Sequence, residues 1–515
     1  MTSHPSLGSL GAASRADLCG LEHPDNDREH LDGKDTMHPL HLPAPGSLAR
    51  SDGEPLLLAP ETLLLPGGPA ADHAVVVQGT EFSTVGPAAR LVREFPHLTP
   101  VRLPGTALLP GFVDAHHHLT QSFGAALAFG EPSEIFRRVW VPLEGALDEE
   151  SAYVAAKLAA LEALRGGFTT VAEAGTRAPV DVDVVASAAR DAGLRCVLGQ
   201  ICNDADQGAD SGGTGTAREV RARAEKHLAR YADDPLVHPS LAVSIPEAAS
   251  EPTLRAMAHL AAEAGAVLQI HVNEHLAAVE RSLLRHGSRP LEHLHELGVL
   301  GPHLLAAHAT LLTPHELALL RDTGTAVSYN PVASAWKGNA VAPALTMAEE
   351  GIRFGLGTDG TRGDAFRLLD AAETAQRLAH GLAAGDSSCG GGRTWLEHGT
   401  RLGADAVGLD GGPGPGAGGV RTGVVAAGAA ADFLLVDLTG PEMCPSHDLP
   451  WELVRRGNRD QITAVFTAGR LRLWYGRPVD WDGPELVARA RESARAVVDR
   501  APVVRVHRPS TEAAR

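Results

Sequence analysis

The sequence predicts an α/β protein, a (β/α)8 TIM barrel joined to a small β-sandwich domain that is built from both ends of the chain. Two observations support this fold. Across residues 107–410, eight apolar strand-like runs alternate with helical runs rich in Ala, Leu, Glu and Arg, the pattern of a closed parallel barrel. On either side, residues 54–106 and 420–478 contain short β-like runs separated by Pro and Gly. The length of 515 residues accommodates both domains.

The regions outside the barrel are predicted from composition and short strand patterns. Residues 1–53 are predicted to be a disordered N-terminal extension, because they are rich in polar residues, Pro and Gly and show no apolar periodicity. The small β domain is predicted from strands at Leu56–Leu58, Thr62–Leu65, Ala74–Gln78 and Val101–Leu103. Beyond the Gly- and Pro-rich linker 411–419, its strands resume at Gly423–Val425, Asp432–Asp437, Ile462–Thr467 and Arg470–Trp474. Residues 479–515 are predicted to form a C-terminal helix and tail.

The barrel is predicted as eight strand–helix units. The strands are placed at Ala107–Asp114, Thr169–Ala174, Arg195–Ile201, Val237–Ile245, Val267–Val272, Leu304–His308, Ala326–Asn330 and Arg353–Thr358. The helices between them are placed at Ser151–Arg165, Val180–Ala192, Ala217–Ala232, Glu251–Ala264, Leu276–Leu297, Pro314–Asp322, Ala340–Glu350 and Ala365–Ala384. Barrel enzymes carry their active sites where the strands end, so we look for reactive residues directly after each strand.

The composition limits the partners of the protein. A formal net charge of −18 disfavours nucleic acid or an anionic membrane as the main partner. No apolar run is long enough to span a membrane. The five cysteines form no CxxC pair, which favours a reduced, cytoplasmic protein. We expect a small-molecule substrate and a homodimer or higher homo-oligomer.

The end of strand one carries three consecutive histidines. Residues two apart on a strand point the same way, so His116 and His118 can face one metal ion together. His117 then faces the opposite side. A His-x-His pair alone is only moderately specific, because histidines also cluster on surfaces by chance.

Three other predicted strands also end in residues that bind metals or move protons. His271 ends strand five, with Glu274 three residues later, while His308 ends strand six and Asp359 ends strand eight. Each has an ordinary explanation on its own, such as a core histidine or a helix cap. Together they are the residue types that bind Zn²⁺ or Fe²⁺, and they indicate a catalytic metal site with room for a water molecule.

The most informative pattern is a set of seven segments spread over the chain. These are PGFVDAHHHL (110–119), GFTTVAEAG (167–175), IHVNEH (270–275), RPLEHLHELGVLGPHLLAAHAT (289–310), GTAVSYNP (324–331), GIRFGLGTDG (351–360) and TGVVAAGAAADFLLVD (422–437). Across about residues 55–478 the chain resembles the amidohydrolase superfamily, in the branch of cytosine deaminase, adenosylhomocysteine deaminase and the triazine hydrolases.

The resemblance implies a role for each strand-end residue. It implies His116, His118, His271 and Asp359 as the metal ligands and Glu274 as the residue that carries protons. It also implies that His308 contacts the bound water or the substrate. Catalysis is then expected from three residues, Glu274, His308 and Asp359.

Departures from the relatives refine this expectation. Many relatives bridge two metals with a lysine at the end of strand four, but residues 236–246 contain none, which favours a single Zn²⁺ or Fe²⁺. Segments 244–247 and 331–336 also differ from nucleoside deaminases at positions that contact substrate. The loop residues Gln121, Trp140, Trp336 and Arg362 are candidate substrate contacts, although ordinary packing explains any one of them equally well. Arg362 is the best placed to grip an anionic or carbonyl group.

The expected function is hydrolytic deamination of an amino-substituted heterocycle or amidine-like substrate by metal-activated water. Three alternatives remain open. The first is a triazine-type hydrolase that expels chloride or an alkylamine. The second is a ring-opening cyclic amidohydrolase resembling imidazolonepropionase, and the third is a non-catalytic barrel scaffold.

Overall fold

A computed structural model describes residues 45–48, 54–131, 135–205, 215–385, 390–411 and 419–506. Most of the predicted N-terminal extension, the middle of the predicted linker and the end of the predicted tail lie outside these residues. Within the predicted extension, Pro45–Leu48 forms one helical turn whose Leu48 is buried in a hydrophobic cluster of the β domain.

The described residues form strands in two sheets. The strands are β1 (Leu56–Leu65), β2 (Gly68–Ala71), β3 (His73–Gln78), β4 (Glu81–Pro87), β5 (Val101–Pro110), β6 (Phe112–His117), β7 (Phe168–Glu173), β8 (Arg195–Ile201), β9 (Val237–Val243), β10 (Leu268–Val272), β11 (Leu304–His308), β12 (Ala326–Tyr329), β13 (Phe354–Leu356), β14 (Phe433–Asp437), β15 (Ile462–Thr467), β16 (Arg470–Trp474) and β17 (Arg477–Pro478).

Most of the helices alternate with strands β6 to β13 or flank them, whereas the first two pack on the other sheet. They are α1 (Pro45–Leu48), α2 (Ala88–Glu94), α3 (Ala125–Ala128), α4 (Val141–Gly145), α5 (Glu149–Arg165), α6 (Asp183–Ala192), α7 (Ala217–Arg230), α8 (Glu251–Ala264), α9 (Leu276–His286), α10 (Pro290–Glu296), α11 (Pro314–Thr323), α12 (Pro331–Lys337), α13 (Ala344–Glu349), α14 (Ala365–Ala384), α15 (Gly392–His398), α16 (Arg401–Ala406), α17 (Leu449–Arg455) and α18 (Gly483–Arg500). None of the described helices is long and apolar enough to cross a membrane.

Strands β6 to β13 form the predicted parallel barrel. Each strand is hydrogen-bonded to the next in chain order. The first and last strands meet at the end that carries the reactive residues, where the Asp359 N–H donates to the His116 carbonyl at 2.8 Å. The strand-end residues therefore lie around one mouth, as the fold class predicts.

The first barrel strand differs from the prediction at its start. Residues 107–110 belong to β5 of the small domain, and the barrel strand begins only at Phe112. Gly111 lies between the two sheets, where a Cβ atom would come within 2.0 Å of the Thr169 hydroxyl. Its N–H donates to the Asp432 carbonyl of the small domain, whereas the Phe112 N–H donates to the Gly167 carbonyl at the barrel. The apolar run that we predicted as one strand is therefore shared by two sheets.

The small domain is one mixed sheet that curls over itself around an aromatic core. Phe82 of β4 lies 5.5 Å from Phe433 of β14, measured between ring centroids, and Phe433 stacks on Phe466 of β15 at 4.3 Å. Three strands separate β4 from β14 in the sheet order, so only a folded-over sheet brings these rings together. The sheet domain from both chain ends is thus confirmed, with a sandwich-like core.

Two predicted elements are wrong in detail. Residues 423–425 form bends and not a strand, because Gly423 packs against the barrel, where a Cβ atom would lie 2.7 Å from the Thr400 carbonyl oxygen. The long helix predicted at 276–297 is two helices, α9 and α10. Gly287 ends α9 in the left-handed conformation (φ +75°), and Pro290 begins α10.

A buried ion pair joins the barrel to the small domain. Arg195 of β8 donates from Nε to Asp432 Oδ2 at 2.8 Å, and both side chains are buried. The Thr422 hydroxyl and the Ala468 N–H donate to the same carboxylate. Burial raises the pKa of Asp432, but Arg195 and these donors outweigh it and lower the pKa overall. The charged carboxylate thus fixes the two domains to each other.

Candidate active site at the barrel mouth

The structure brings the four predicted metal ligands together. His116 Nε2 and His118 Nε2 lie 3.4 and 3.5 Å from Asp359 Oδ1, and His271 Nε2 lies 3.4 Å from His118 Nε2. One donor atom from each of the four lies within 4.8 Å of all the others. The set combines three imidazoles from strands one and five with one carboxylate from strand eight.

Alternation along β6 explains why two of the three consecutive histidines reach this cluster. His117 points to the other side, where Nδ1 contacts Asp114 Oδ2 at 3.0 Å and the Thr358 hydroxyl at 2.8 Å. Asp114 also accepts from the N–H groups of Thr358 and His116. Strand one and strand eight are therefore tied together directly behind the candidate histidine and aspartate ligands.

Left-handed backbone positions also mark the site. His308 (φ +73°), Asp359 (φ +54°) and Asn273 (φ +53°) adopt positive φ, a region that non-glycine residues rarely occupy. Such strain costs roughly 1–3 kcal/mol per residue and is concentrated at functional sites in proteins. At each of these three positions the left-handed conformation turns the backbone at the end of a barrel strand.

The donor set fits a divalent metal ion. Both ring nitrogens of His116 are buried without a hydrogen-bond partner. The His271 Nδ1–H donates to the Ser244 carbonyl at 2.7 Å, which turns Nε2 towards the cluster. Burial, followed by the neighbouring His116 ring, lowers the pKa values of His118 and His271 well below the usual range. Neutral imidazoles and a carboxylate are the ligands that Zn²⁺ prefers.

His308 lies beside the cluster as a hydrogen-bond donor. The Asn330 amide Nδ2 donates to His308 Nδ1 at 3.1 Å, and its Oδ1 accepts from the Ser328 hydroxyl. His308 must therefore carry its proton on Nε2, which lies 3.6 Å from Glu274 Oε2 and 4.0 Å from Asp359 Oδ2. Burial lowers the pKa of His308 to about 4, so the ring is neutral.

Lys337 contacts both carboxylates beside the cluster. Its Nζ lies 2.8 Å from Glu274 Oε1 and 2.7 Å from Asp359 Oδ2. Burial raises the pKa of both carboxyls, but the cation and nearby histidines outweigh it and hold each pKa well below its usual range. Burial lowers the pKa of Lys337, but the two carboxylates raise it above its usual value overall. Glu274 and Asp359 are therefore ionised, with a buried ammonium between them.

A cavity of about 410 Å³ opens over the cluster. Gln121 and Trp140, two of the predicted substrate contacts, line it together with Phe136 and Arg177. Arg177 is held by Glu144 Oε2 at 2.9 Å and lies over the Phe136 ring at 4.3 Å. The walls therefore offer aromatic faces and a buried guanidinium above the four candidate metal ligands.

The structure does not bring the other two predicted contacts to this cavity. Trp336 packs edge-on against Phe129 with ring centroids 4.5 Å apart. Arg362 is exposed and pairs with Asp364 at 3.2 Å. Its position close after Asp359 in sequence does not bring it into the mouth, because the chain turns outward after the strand-eight aspartate.

Sequence reasoning missed Lys337, Arg177, Asn330 and His275. Asn330 and Arg177 follow strand ends, so a stricter application of the strand-end rule would have included them. His275 was visible in the segment IHVNEH and contacts Glu274 Oε2 at 3.3 Å. Lys337 gives no sequence signal, because a helix separates it from strand seven.

Comparison with known proteins identifies relatives over most of the chain. Residues 107–472 match the family model described as Amidohydrolase family. A 5-methylthioadenosine/S-adenosylhomocysteine deaminase of Syntrophobacter fumaroxidans is 30% identical over 426 residues, covering 82% of this chain and 93% of the relative. A 5'-deoxyadenosine deaminase of Methanopyrus kandleri is 29% identical, covering 75% of this chain and 86% of the relative.

Solved structures show the same fold. An adenosine deaminase from Xanthomonas campestris with bound zinc superposes with a TM-score of 0.76 at 27% identity, covering 86% of this chain and 98% of that chain. An atrazine chlorohydrolase from Arthrobacter aurescens TC1, solved with zinc, has a TM-score of 0.73 at 22% identity, covering 85% of this chain and 100% of that chain. With the family match over most of the barrel and the small domain, these comparisons show that the chain is a hydrolase of the amidohydrolase family.

Proposed function

We propose that this chain is a mononuclear metal-dependent aminohydrolase that deaminates an amino-substituted heterocycle by hydrolysis. One observation carries the proposal: His116, His118, His271 and Asp359 converge on one point, beside an ionised Glu274, at the floor of a cavity. The deaminases among the relatives support the same reaction.

The proposed metal is a single divalent ion, Zn²⁺ in the first place and Fe²⁺ as the alternative. When bound, such an ion lowers the pKa of a coordinated water and polarises the group that is attacked. Zinc is supported by the two neighbouring structures that contain it. His116, His118, His271 and Asp359 are the residues that would hold it, and the buried His116 Nε2 has no hydrogen-bond partner.

Glu274 is proposed to accept the proton from the attacking water and to deliver it to a ring nitrogen of the substrate. Its Oε2 lies 3.6 Å from His308 Nε2, so a water beside this pair can donate to the carboxylate. His308 presents an N–H that can donate to the attacking oxygen or to the substrate. Asp359, with Oδ2 at 4.0 Å from His308, helps to orient that oxygen while the amino leaving group takes up the second proton of the attacking water and departs as ammonia.

The cavity supports a substrate with a flat ring and a polar extension. Phe136 and Trp140 offer apolar faces for a heterocycle, and the volume of about 410 Å³ suits a small molecule of nucleoside size. Adenosine-type compounds therefore come first in a substrate screen, because the relatives are named for them. Aminopyrimidines, aminotriazines and guanidino compounds follow.

The test combines elemental analysis of purified protein with an ammonia-release screen over these compounds. One Zn or Fe per chain and release of one ammonia per substrate are expected. Ring opening without ammonia would identify a cyclic amidohydrolase instead, and chloride release would identify a dechlorinating enzyme. Protein that binds no metal and turns over no substrate would leave only a scaffold role.

The cellular location and the oligomeric state belong to the same proposal. A cytoplasmic location is supported by free thiols at Cys196, Cys202 and the exposed Cys444 in the described part of the chain. A homodimer or larger homo-oligomer stays our expectation, and light scattering of purified protein tests it.

A further inference from the structure

Lys337 occupies an unusual place for a lysine. It is the last residue of α12, its side chain is only 13% exposed, and its Nζ contacts two carboxylates at 2.8 and 2.7 Å. Burying an ammonium is costly unless charged partners compensate, and Glu274 and Asp359 supply them. Because burying this charge is costly, a role in the site explains the position of Lys337 better than a contribution to surface solubility does.

Lys337 contacts one oxygen of each carboxylate, while the other oxygen faces a different neighbour. Glu274 uses Oε1 for Lys337 and turns Oε2 towards His308, at 3.6 Å. Asp359 uses Oδ2 for Lys337 and turns Oδ1 towards His116, at 3.4 Å. The ammonium thus connects the proposed proton carrier to a proposed metal ligand and sets how far apart they lie.

The loop after strand seven reinforces this connection. Gly338 follows Lys337 in the left-handed conformation (φ +67°) and turns the chain so that Asn339 also reaches the site. Asn339 donates from Nδ2 to Glu274 Oε1 at 3.4 Å, and its Oδ1 contacts His275 Nδ1 at 3.1 Å. Two residues of one loop therefore hold the same Glu274 oxygen.

We propose that Lys337 is a positioning residue for Glu274: it links that carboxylate to Asp359 and so fixes Oε2 on the side of the attacking water. This inference rests on the proposed function, because it takes Glu274 as the proton carrier. A structural ion pair would contribute to folding but not to the proton transfer. The two roles predict different results when the lysine is removed.

The experiment uses the full-length, zinc-loaded protein. Lys337→Met keeps most of the side-chain volume and removes the charge, and Lys157→Met is the matched control. Lys157 is half-buried against Tyr153 and Trp481, on α5 and away from the cavity. Both are compared with Glu274→Gln and with the Glu274→Gln/Lys337→Met double variant. The double variant removes a buried carboxylate charge together with the lysine, so it tests the proposal if Lys337→Met alone folds poorly. The measurements are zinc content, kcat, KM and a crystal structure of Lys337→Met.

The expected result has four parts. Lys337→Met retains one zinc, shows a displaced Glu274 carboxylate, and loses about 10²-fold in kcat, the size expected for a misplaced catalytic group. Its KM changes by less than about threefold, because ground-state contacts are intact. In the Glu274→Gln background the same change lowers kcat by less than about threefold, because residues that act as a unit are not additive. Lys157→Met behaves as the wild type.

Several outcomes would overturn the proposal. A near-normal kcat in Lys337→Met would show that the contacts of Lys337 are only a structural ion pair. Independent losses that multiply in the double variant would show that Lys337 does not act through Glu274. Loss of zinc from Lys337→Met would show instead that Lys337 supports the metal site. Failure of the proposed function is distinguishable, because wild-type protein would then release no ammonia, whereas the Glu274 position in the crystal structure still tests the link to Lys337.

Discussion

Replacing Glu274 with glutamine removes the proposed proton carrier while keeping almost the same shape. The carboxylate accepts from Lys337 at Oε1 and faces the N–H of His308 at Oε2. Glutamine has only one oxygen, so its NH₂ group must face one of these two donors. The proposed metal ligands are untouched, because none of them bonds to the oxygens of Glu274.

The magnitude follows from these contacts. Loss of a positioned general acid–base group lowers turnover by about 10²–10⁴-fold. The lost charge-assisted hydrogen bond to Lys337 costs roughly 1.5–3 kcal/mol of stability in addition. We expect KM to change much less than kcat, since the proton transfer matters mainly in the transition state.

The assay is steady-state ammonia release by zinc-loaded Glu274→Gln, with metal content measured on the same sample. Glu280→Gln is the matched control, because Glu280 is an exposed carboxylate on the neighbouring helix α9. A variant with full metal and near-normal kcat would show that another residue carries the proton. Loss of the metal would show instead that Glu274 supports the metal site.

Three further predictions address the metal, the cavity and the domain joint. Chelation should abolish turnover, one equivalent of zinc should restore it, and two tightly held metals per chain would contradict a mononuclear site. Arg362→Ala should keep kcat/KM within about threefold of the wild-type value, because the Arg362 guanidinium is exposed outside the cavity. A tenfold fall in kcat/KM would show that Arg362 contacts the substrate after all. Asp432→Asn should lower the free energy of unfolding at pH 7 by about 3 kcal/mol, because it leaves Arg195 buried without its charge partner. The depressed pKa of Asp432 means that its stabilising effect is present above its unfolded pKa near 4 and is lost as pH falls through the folded value, so urea titrations of both proteins should converge in acid. A difference that persists unchanged at low pH would refute the charge argument.

Physical reasons separate the predicted residues that meet at the barrel mouth from those that do not. His116, His118, His271 and Asp359 lie at or just beyond the ends of barrel strands, and the geometry of a parallel barrel carries such positions to one face. Trp336 lies in helix α12 and Arg362 on the loop after Asp359, and contacts with other parts of the molecule set the direction of both side chains.

The boundary between the two sheets illustrates the same limit. The run from Ala107 to Asp114 is apolar throughout, apart from Gly111 and its final aspartate, so its pattern gives no reason to divide it. The division comes from the partners: the first part pairs with β14 and β1, and the second pairs with β7. Strand pairing between distant segments is not encoded in local periodicity.

The sequence by itself indicated the fold class, because strand periodicity is a local feature, and its resemblance to the amidohydrolase superfamily implied the candidate ligand set and the candidate proton carrier at the strand ends. The tertiary structure alone decided that Lys337 lies between Glu274 and Asp359, and that Arg177 lines the cavity while Arg362 faces solvent. Those positions depend on how loops from separate strands pack against one another. Charges that meet only after such packing acquire their partners, burial and pKa values from the folded chain.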